Sequence, residues 1–266
     1  MDNFWYDTIN TQRQRSNPIP VAIKTVISRP EDFINELKFQ HQFMTSGRRF
    51  LRLYGVTRDP NIMNYSIITP YVADGDLRNY LKNNKITWQE KTNILDYIVN
   101  DLAIIHKLGM AHCDLHPGNV LINGNLAYLN DFGLCKHVNL KSNLESRIYG
   151  VLPYVAPEVL KGKSYTQSSD IYSLGIIMFQ LGTELQPYDD LHYDFDLTIR
   201  ICQGLRPEIT REIPPAYEKV MKSCWDQDPF KRPDIKKLQV IFQRWRQNPP
   251  HYILEQFENS KYSTEN

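Results

Sequence analysis

The chain has 266 residues, a hydrophobic content of 41% and a formal net charge of +1 at pH 7. This length suits one large domain or two closely packed lobes, with enough apolar residues for a sizeable core. Because 31 basic side chains nearly balance 30 acidic ones, no broad electrostatic field attracts nucleic acid or an anionic membrane surface. We therefore expect a local site to select the partner, with no binding to nucleic acid and no insertion into a membrane.

Cysteine usage and the first residues favour a cytoplasmic protein. The four cysteines lie far apart and form no CxxC pair, which disfavours both a zinc ribbon and a disulfide framework. The chain begins without an apolar signal core, and no stretch reaches the roughly 20 apolar residues of a spanning helix. We expect a soluble protein in a reducing compartment.

Strands dominate the predictions for the first third of the chain. Short apolar runs predict strands over 20–26, 49–56 and 66–72. Between the first two runs, apolar residues recur at helical spacing and predict one helix over 31–44. A small strand-rich region with a single helix follows from this pattern.

The remainder of the chain is predicted to be mainly helical. Thr87 and Glu90 form a capping-box pattern ahead of a long amphipathic helix. The stretch 170–181 is almost wholly apolar after its first residues, which is typical of a helix buried on all sides. Two further amphipathic helices are predicted over 220–225 and 235–245.

A polar loop that follows the long helix carries candidate catalytic residues. It reads HCDLHPGN over 112–119 and precedes an apolar pair, so we expect it to be ordered. At this spacing the carboxylate of Asp114 can orient a substrate hydroxyl and accept its proton. The amide oxygen of Asn119 can bind a hard cation such as Mg²⁺. A plain polar turn is the alternative interpretation.

Two short motifs follow this loop in order. The DFG sequence at 131–133 begins 12 residues after Asn119, and an APE sequence lies at 156–158. In DFG, we expect Asp131 to bind magnesium that bridges phosphates, Phe132 to pack inward, and Gly133 to permit a sharp turn. Either motif alone is weak, but the three together make coincidence improbable.

Together with the VAIK sequence at 21–24, these motifs resemble those of protein kinases, and the resemblance extends over about 20–245. It implies an α+β, two-lobed fold with a small β-rich N-lobe that holds one helix and a larger α-helical C-lobe. We expect a kinase domain over 1–246, with its N-lobe at about 1–72 and its C-lobe at about 74–246, and a loosely held tail over 247–266.

The resemblance also implies ATP and Mg²⁺ as cofactors and assigns residues to them. Lys24 would hold the phosphates of the nucleotide. Its carboxylate partner would be Glu36, with Glu31 as the weaker candidate because it stands too near the helix start. Thr69 would be the gatekeeper beside the adenine pocket, and Tyr71 belongs to the hinge whose backbone meets the base.

Further matches imply scaffold roles. Asp170 resembles the buried aspartate that braces the catalytic loop in this family, and at a helix start it would also cap the helix. Glu158 and Arg232 resemble the structural ion pair of the C-lobe. The residues in these segments most resemble those of the tyrosine-kinase-like group.

The sequence departs from the kinase pattern ahead of Lys24. A kinase normally carries GxGxxG on a hairpin there, since backbone amides and the small size of glycine let the loop cover the phosphates. Here no glycine precedes Gly47, and residues 2–17 lie about where that loop belongs. The loop is lost, replaced, or cut away by a truncated chain start.

Three substitutions fall near the expected reaction centre. Cys113 stands where most kinases place an arginine that binds a phosphate on the activation segment, and a neutral thiol cannot do so. His116 replaces a lysine typical of serine/threonine kinases, and Val151 replaces their threonine. The expected activation segment between Gly133 and Ala156 carries four candidate hydroxyls, those of Ser142, Ser146, Tyr149 and Tyr154. Any of them could be modified, but we expect ordinary solvated loop residues, with Tyr154 packed beneath the segment.

These observations predict an enzyme that transfers the γ-phosphoryl of Mg-ATP to a protein hydroxyl, chiefly of Ser or Thr, in intracellular signalling. Tyr remains an open acceptor, because neither the lysine-type nor the tyrosine-kinase catalytic loop is present. A pseudokinase that only binds partners is the main alternative. A small-molecule phosphotransferase is disfavoured by the APE segment and the helix at Asp170.

Overall fold

A computed structural model describes residues 4–6, 13–15, 18–26, 30–46, 50–58, 64–138 and 149–250 of the chain. The strands are β1 (Phe4–Tyr6), β2 (Arg13–Arg15), β3 (Val21–Val26), β4 (Gly55–Arg58), β5 (Tyr65–Pro70), β6 (Met110–Ala111), β7 (Val120–Asn123), β8 (Leu126–Leu129) and β9 (Lys136–His137). The helices are α1 (Pro30–Ser46), α2 (Leu77–Asn83), α3 (Trp88–Lys107), α4 (Pro157–Leu160), α5 (Gln167–Thr183), α6 (Phe195–Gln203), α7 (Pro215–Cys224) and α8 (Ile235–Gln247).

The N-terminal part is strand-rich, as predicted, and centres on an antiparallel sheet in the order β3-β5-β4. In its register Ala22 lies opposite Thr69, and Lys24 lies opposite Ile67. Because alternate residues of a strand share a face, these four residues lie on one face of the sheet. This register therefore brings the predicted ATP lysine and the predicted gatekeeper to the same side.

The strand predicted over 49–56 is wrong for most of its length. The structure has no strand over 50–54, and β4 begins only at Gly55. Phe50 and Leu51 are buried for another reason, since the ring of Phe50 packs 5.5 Å from that of Phe43 and 5.7 Å from that of Phe132. An apolar run that enters an aromatic cluster has the composition of a strand without its hydrogen bonds.

The single helix of this part, α1, confirms the helical periodicity. Its buried positions are Phe33, Glu36, Gln40 and Phe43, which recur every three or four residues. The inward face therefore carries a carboxylate in the middle of an otherwise largely aromatic stripe, and that carboxylate needs a partner.

The C-terminal part is organised around α3 and α5. The capping box ahead of α3 is confirmed, because the Thr87 hydroxyl accepts from the N–H of Glu90 and the Glu90 carboxylate accepts from the N–H of Thr87. The helix packs its apolar stripe into the core, and α5 is buried along nearly its whole length, as its composition predicts. Helix length and hydropathy in the described residues nowhere reach what a membrane crossing requires.

One detail of α5 corrects the sequence interpretation. The helix begins at Gln167 and is capped by Thr166, whose hydroxyl accepts from the N–H of Ser169. Asp170 is therefore not the capping residue but lies one turn inside the helix. Its carboxylate does not cap the N–H groups at the helix end, so it can accept hydrogen bonds from another segment.

Several short elements of the C-terminal part escaped prediction. They are the small sheets β6-β9 and β7-β8 and the helix α6. Helix α6 buries Leu197 and Ile201 but leaves Phe195 77% exposed, so its apolar pattern is too short to distinguish from a loop. The predicted tail over 247–266 lies mostly outside the described residues, and the exact domain bounds stay a prediction.

Candidate active site

Lys24 joins the two parts of the molecule. Its Nζ lies 2.6 Å from Oε1 of Glu36 and 2.7 Å from Oδ1 of Asp131. Burial lowers the pKa of Lys24, but the two carboxylates outweigh burial and raise it overall, so the ammonium stays charged. The pairing with Glu36 is confirmed, while Glu31 is exposed near the start of α1.

The DFG sequence places its phenylalanine as expected and makes its turn differently. Phe132 is buried, with its ring 4.9 Å from that of Phe43. The positive φ of 63° belongs to Asp131 rather than to Gly133. An added Cβ at 133 would lie 3.4 Å from Oε2 of Glu36, which is an ordinary van der Waals distance. The residue with the left-handed backbone therefore lies two positions before the glycine that was expected to permit the turn.

Asp170 braces the catalytic loop, as the resemblance implies. Its Oδ2 accepts from the N–H of His112 at 2.9 Å, and its Oδ1 accepts from the N–H of Cys113 at 3.0 Å. Cys113 has a φ of 68°, which an L-residue rarely adopts. His106 Nε2 lies 2.9 Å from Oδ2 of the same carboxylate and completes its buried hydrogen bonding. The strained loop is therefore held by several bonds to one side chain.

The two carboxylate oxygens of Asp114 differ: one accepts a hydrogen bond, and the other, called the open oxygen below, has no partner among the described residues. Its Oδ2 accepts from Asn119 Nδ2 at 3.0 Å, whereas its buried Oδ1 has no hydrogen-bond partner among the described residues. His116 Nε2 lies 3.6 Å from Oδ1, too far for a hydrogen bond. Burial raises the pKa of Asp114, but the imidazoles of His116 and His112 and the amide of Asn119 lower it below its ordinary value. The carboxylate is thus ionised and has an oxygen ready to accept a proton.

Asn119 and Asp131 supply oxygen atoms that suit Mg²⁺. The amide nitrogen of Asn119 makes both of its side-chain hydrogen bonds, to Oδ2 and to the backbone oxygen of Asp114. Its amide oxygen is therefore left for a cation. A backbone hydrogen bond of 2.9 Å from Asn130 to Asn119 brings the loops of the two candidate ligands together. One amide oxygen and one carboxylate suit Mg²⁺, which usually completes its shell with water and phosphate oxygens.

The expected adenine side is only partly enclosed by the predicted residues. Thr69 is half-buried on the sheet face that also carries Lys24. Tyr71 follows the end of β5, its side chain is 57% exposed, and its N–H reaches the backbone oxygen of Pro20 at 3.4 Å. The roles of Thr69 and Tyr71 toward a base stay predictions.

The structural ion pair of the C-lobe is present. Arg232 donates to both oxygens of Glu158 at 2.7 Å, and both side chains are buried. A third hydrogen bond of 2.8 Å goes to the backbone oxygen of Ser168. This bidentate geometry satisfies two charges that would be costly to bury alone.

Cys113 is neutral, as the comparison with an arginine assumed. The residue is buried, and burial raises the pKa of its thiol well above the ordinary range. The same holds for Cys135, which lies nearby. Neither sulfur is poised as a thiolate nucleophile.

The activation segment is described only at its two ends. The candidate hydroxyls of Ser142 and Ser146 lie outside the described residues. Tyr154 is buried beneath the segment, as predicted, and donates to Gln180 Oε1. Tyr149 is 43% exposed, but its backbone is bonded to Tyr165, which the sequence interpretation missed.

A pair of antiparallel strands lies at about the place where the glycine-rich loop is expected. Strands β1 and β2 pair antiparallel, with Phe4 opposite Arg15 and Tyr6 opposite Arg13. Six residues join them, 7–12, and none is glycine. These six lie outside the described residues. A strand pair is therefore present ahead of Lys24, and whether it covers phosphate stays a prediction.

Comparison with known proteins agrees with this geometry. Residues 6–242 match the family described as the protein kinase domain. The chain belongs to the protein kinase family. The tyrosine-kinase-like subgroup stays a prediction.

Curated relatives carry kinase names. The chain is 28% identical over 228 residues to a probable serine/threonine-protein kinase of Dictyostelium discoideum, covering 79% of this chain and 13% of the relative. It is 27% identical over 241 residues to a putative serine/threonine-protein kinase/receptor of Acanthamoeba polyphaga mimivirus, covering 88% and 14%. Identity to ankyrin repeat and protein kinase domain-containing protein 1 of Mus musculus is 29% over 222 residues, covering 78% and 28%. The chain spans less than a third of the length of each of these relatives.

Proposed function

We propose that the chain transfers the γ-phosphoryl group of Mg-ATP to a serine or threonine hydroxyl of a protein substrate. The observation that carries this proposal is the open Oδ1 of Asp114, a buried and ionised acceptor without a partner among the described residues. Most buried carboxylate oxygens are hydrogen-bonded, so a buried oxygen without a partner calls for an explanation. An acceptor kept open suits the proton of an incoming hydroxyl.

The other site residues fit the binding of nucleotide and metal. Lys24, fixed between two carboxylates, can hold phosphate oxygens as a permanently charged group. Asn119 and Asp131 would hold Mg²⁺, which when bound neutralises charge on the phosphates. Thr69 and Tyr71 would line the adenine side. The kinase names of the relatives support Ser and Thr as acceptors.

A cytoplasmic role in signalling forms part of the same proposal. All four cysteines are free, which supports a reducing compartment. The protein substrate is to be recognised at the site itself, because the net charge of +1 gives no broad electrostatic attraction.

The proposal is tested with Asp114→Asn in the full chain. Transfer of labelled phosphate from Mg-ATP to casein should fall by at least about 100-fold, because the amide cannot accept the proton. Thermal stabilisation by Mg-ATP should persist. Asp196→Asn on exposed α6 is the matched control and should leave both quantities unchanged. Phosphoamino acid analysis identifies the acceptor, and equal turnover of Asp114→Asn and the unaltered chain would sink the assignment.

The pseudokinase alternative rests on the glycine-free hairpin and on His116. Under that alternative, the fold binds partners and the nucleotide is bound weakly or not at all. A titration of thermal stability with Mg-ATP separates the two, since an absence of stabilisation at about millimolar nucleotide contradicts catalysis by this chain. The retained base and metal ligands favour the enzyme.

A further inference from the structure

Tyr165 is bonded to the backbone at the end of the activation segment. Its hydroxyl donates to the carbonyl oxygen of Tyr149 at 2.5 Å and accepts from the N–H of the same residue at 3.1 Å. The phenol is buried, and burial raises its pKa to about 12, so the hydroxyl keeps its proton and can donate. One side chain thus satisfies both polar groups of a loop residue, and its geometry fixes the peptide units on either side.

The same ring also contacts the start of the activation segment. Lys136, in β9, has its Nζ 4.6 Å from the centre of the Tyr165 ring. Strand β9 is itself paired with β6, just ahead of the catalytic loop. Tyr165 therefore joins the two described ends of the segment through a cation–π contact on one side and two hydrogen bonds on the other.

The residue after Tyr149 lies against the open carboxylate oxygen. Gly150 has a φ of 95°, and a Cβ added there would lie 3.0 Å from Oδ1 of Asp114. A bare backbone at this position leaves room beside the oxygen that is proposed to accept the proton. A shift of Tyr149 would move Gly150 toward or away from that oxygen.

The catalytic loop has Cys113 at the position where most kinases carry an arginine that clamps a phosphate. Cys113 is neutral and buried, and it lines a cavity of about 510 Å³ together with Lys136, Tyr149 and Tyr165. The hydroxyl of Tyr165 bonds the segment here, and no phosphate takes part in these two hydrogen bonds.

We propose that Tyr165 is a positioning residue that holds Tyr149 and Gly150 against Asp114 in the unmodified chain. The inference rests on the proposed kinase function. Since the contacts need no phosphate, the substrate-facing end of the segment is ordered without phosphorylation. Tyr165 itself touches neither nucleotide nor the reacting atoms.

The test compares Tyr165→Phe with the unaltered chain. The variant keeps the ring and its contact with Lys136 but loses both hydrogen bonds, so kcat/KM for a protein substrate should fall by about tenfold. KM for ATP and stabilisation by Mg-ATP should stay the same. Tyr217→Phe is the matched control, because its buried hydroxyl donates to the carbonyl of Met178 at 2.7 Å in the core of the C-lobe. It should lower stability without changing kcat/KM.

Amide exchange and phosphatase treatment test the role of Tyr165 in two further ways. Amide exchange over 149–155 should quicken in Tyr165→Phe and stay unchanged in Tyr217→Phe, and this readout needs no activity. Phosphatase treatment of the unaltered chain should leave kcat/KM unchanged. If Tyr165→Phe does not fold, Lys136→Met should give a loss of about two- to fivefold through the cation–π contact.

The outcomes separate this inference from the proposed function. An inactive unaltered chain defeats the proposed function, and amide exchange then decides the role of Tyr165. Unchanged exchange in Tyr165→Phe overturns the inference. So does an unchanged kcat/KM in an active chain, or a loss of activity on phosphatase treatment.

Discussion

The two sides of the active site differ in how closely they keep the kinase pattern. On the side of the proposed proton acceptor and metal ligands, Asp114, Asn119 and Asp131 are present and bonded into place. On the side that would cover and clamp phosphate, the hairpin lacks glycine and Cys113 replaces an arginine. The acceptor side depends on charge and fixed geometry at single atoms, whereas the end of the activation segment is held by neutral hydrogen bonds from Tyr165.

This difference shows which features of the site tolerate replacement. A proton acceptor and the oxygen ligands of a cation cannot be replaced by apolar side chains, because their chemistry requires a lone pair at a given position. An ordered loop end requires only that its backbone be satisfied, and the Tyr165 hydroxyl can do that. Each variant below probes one side of this contrast, in order of decreasing expected effect.

The largest effect is expected at the buried ion pair of the C-lobe. Arg232→Leu leaves Glu158 buried without a partner and should lower the free energy of unfolding by about 3–5 kcal/mol. Arg200→Leu is the control, since its 3.9 Å contact with Asp196 is exposed and should contribute less than about 1 kcal/mol. Chemical denaturation measures both. Equal losses would mean that the buried pair does not stabilise the fold more than a surface pair.

Lys24→Met should next abolish the link between the two sides. Without its ammonium, Glu36 and Asp131 face each other unneutralised, and kcat/KM should fall by about 100-fold. Stabilisation by Mg-ATP should fall as well. Lys38→Met, at an exposed position of the same helix as Glu36, should change neither quantity. A Lys24→Met variant with unaltered kcat/KM would contradict the assignment of Lys24 to phosphate binding.

Some contacts of the site follow from the sequence, whereas others depend on how the backbone bends. Lys24 and Glu36 could be paired because the strand motif and the helical register each point to one residue. The open Oδ1 of Asp114 could not be foreseen, since it depends on how the loop bends at Cys113. The sequence gives the chemistry of each side chain, whereas the backbone angles of a loop such as the one at Cys113 depend on tertiary packing.

The same reason explains the other differences. Tyr165 escaped notice because it bonds to the backbone of Tyr149, and backbone groups carry no sequence signal. Asp170 was assigned to a helix start, but the helix begins three residues earlier, at Gln167, where Thr166 caps it. The run at 50–54 has strand composition yet packs as part of an aromatic cluster.

His116→Gln tests the electrostatics of the acceptor. The neighbouring imidazole helps to hold the pKa of Asp114 low against the opposing effect of burial, so its removal should raise that pKa. Because only the ionised carboxylate accepts a proton, the acid limb of the kcat/KM profile should move to higher pH. Assays from about pH 8 downward should show the loss at the acid end alone. A uniform loss across the range would instead indicate a role in substrate binding.

The smallest effect concerns the thiols that line the phosphate side. Burial raises the pKa of Cys113 and Cys135 and keeps both as thiols, so iodoacetamide at about pH 8 should leave them unmodified in the folded chain. Half-buried Cys202, whose thiol pKa is also raised, serves as the internal comparison and should react slowly but measurably. Mass spectrometry of peptides before and after unfolding gives the readout. Rapid labelling of Cys113 in the folded chain would show that the loop opens, and then the neutral contacts around Tyr165 could not be what fixes this side of the site.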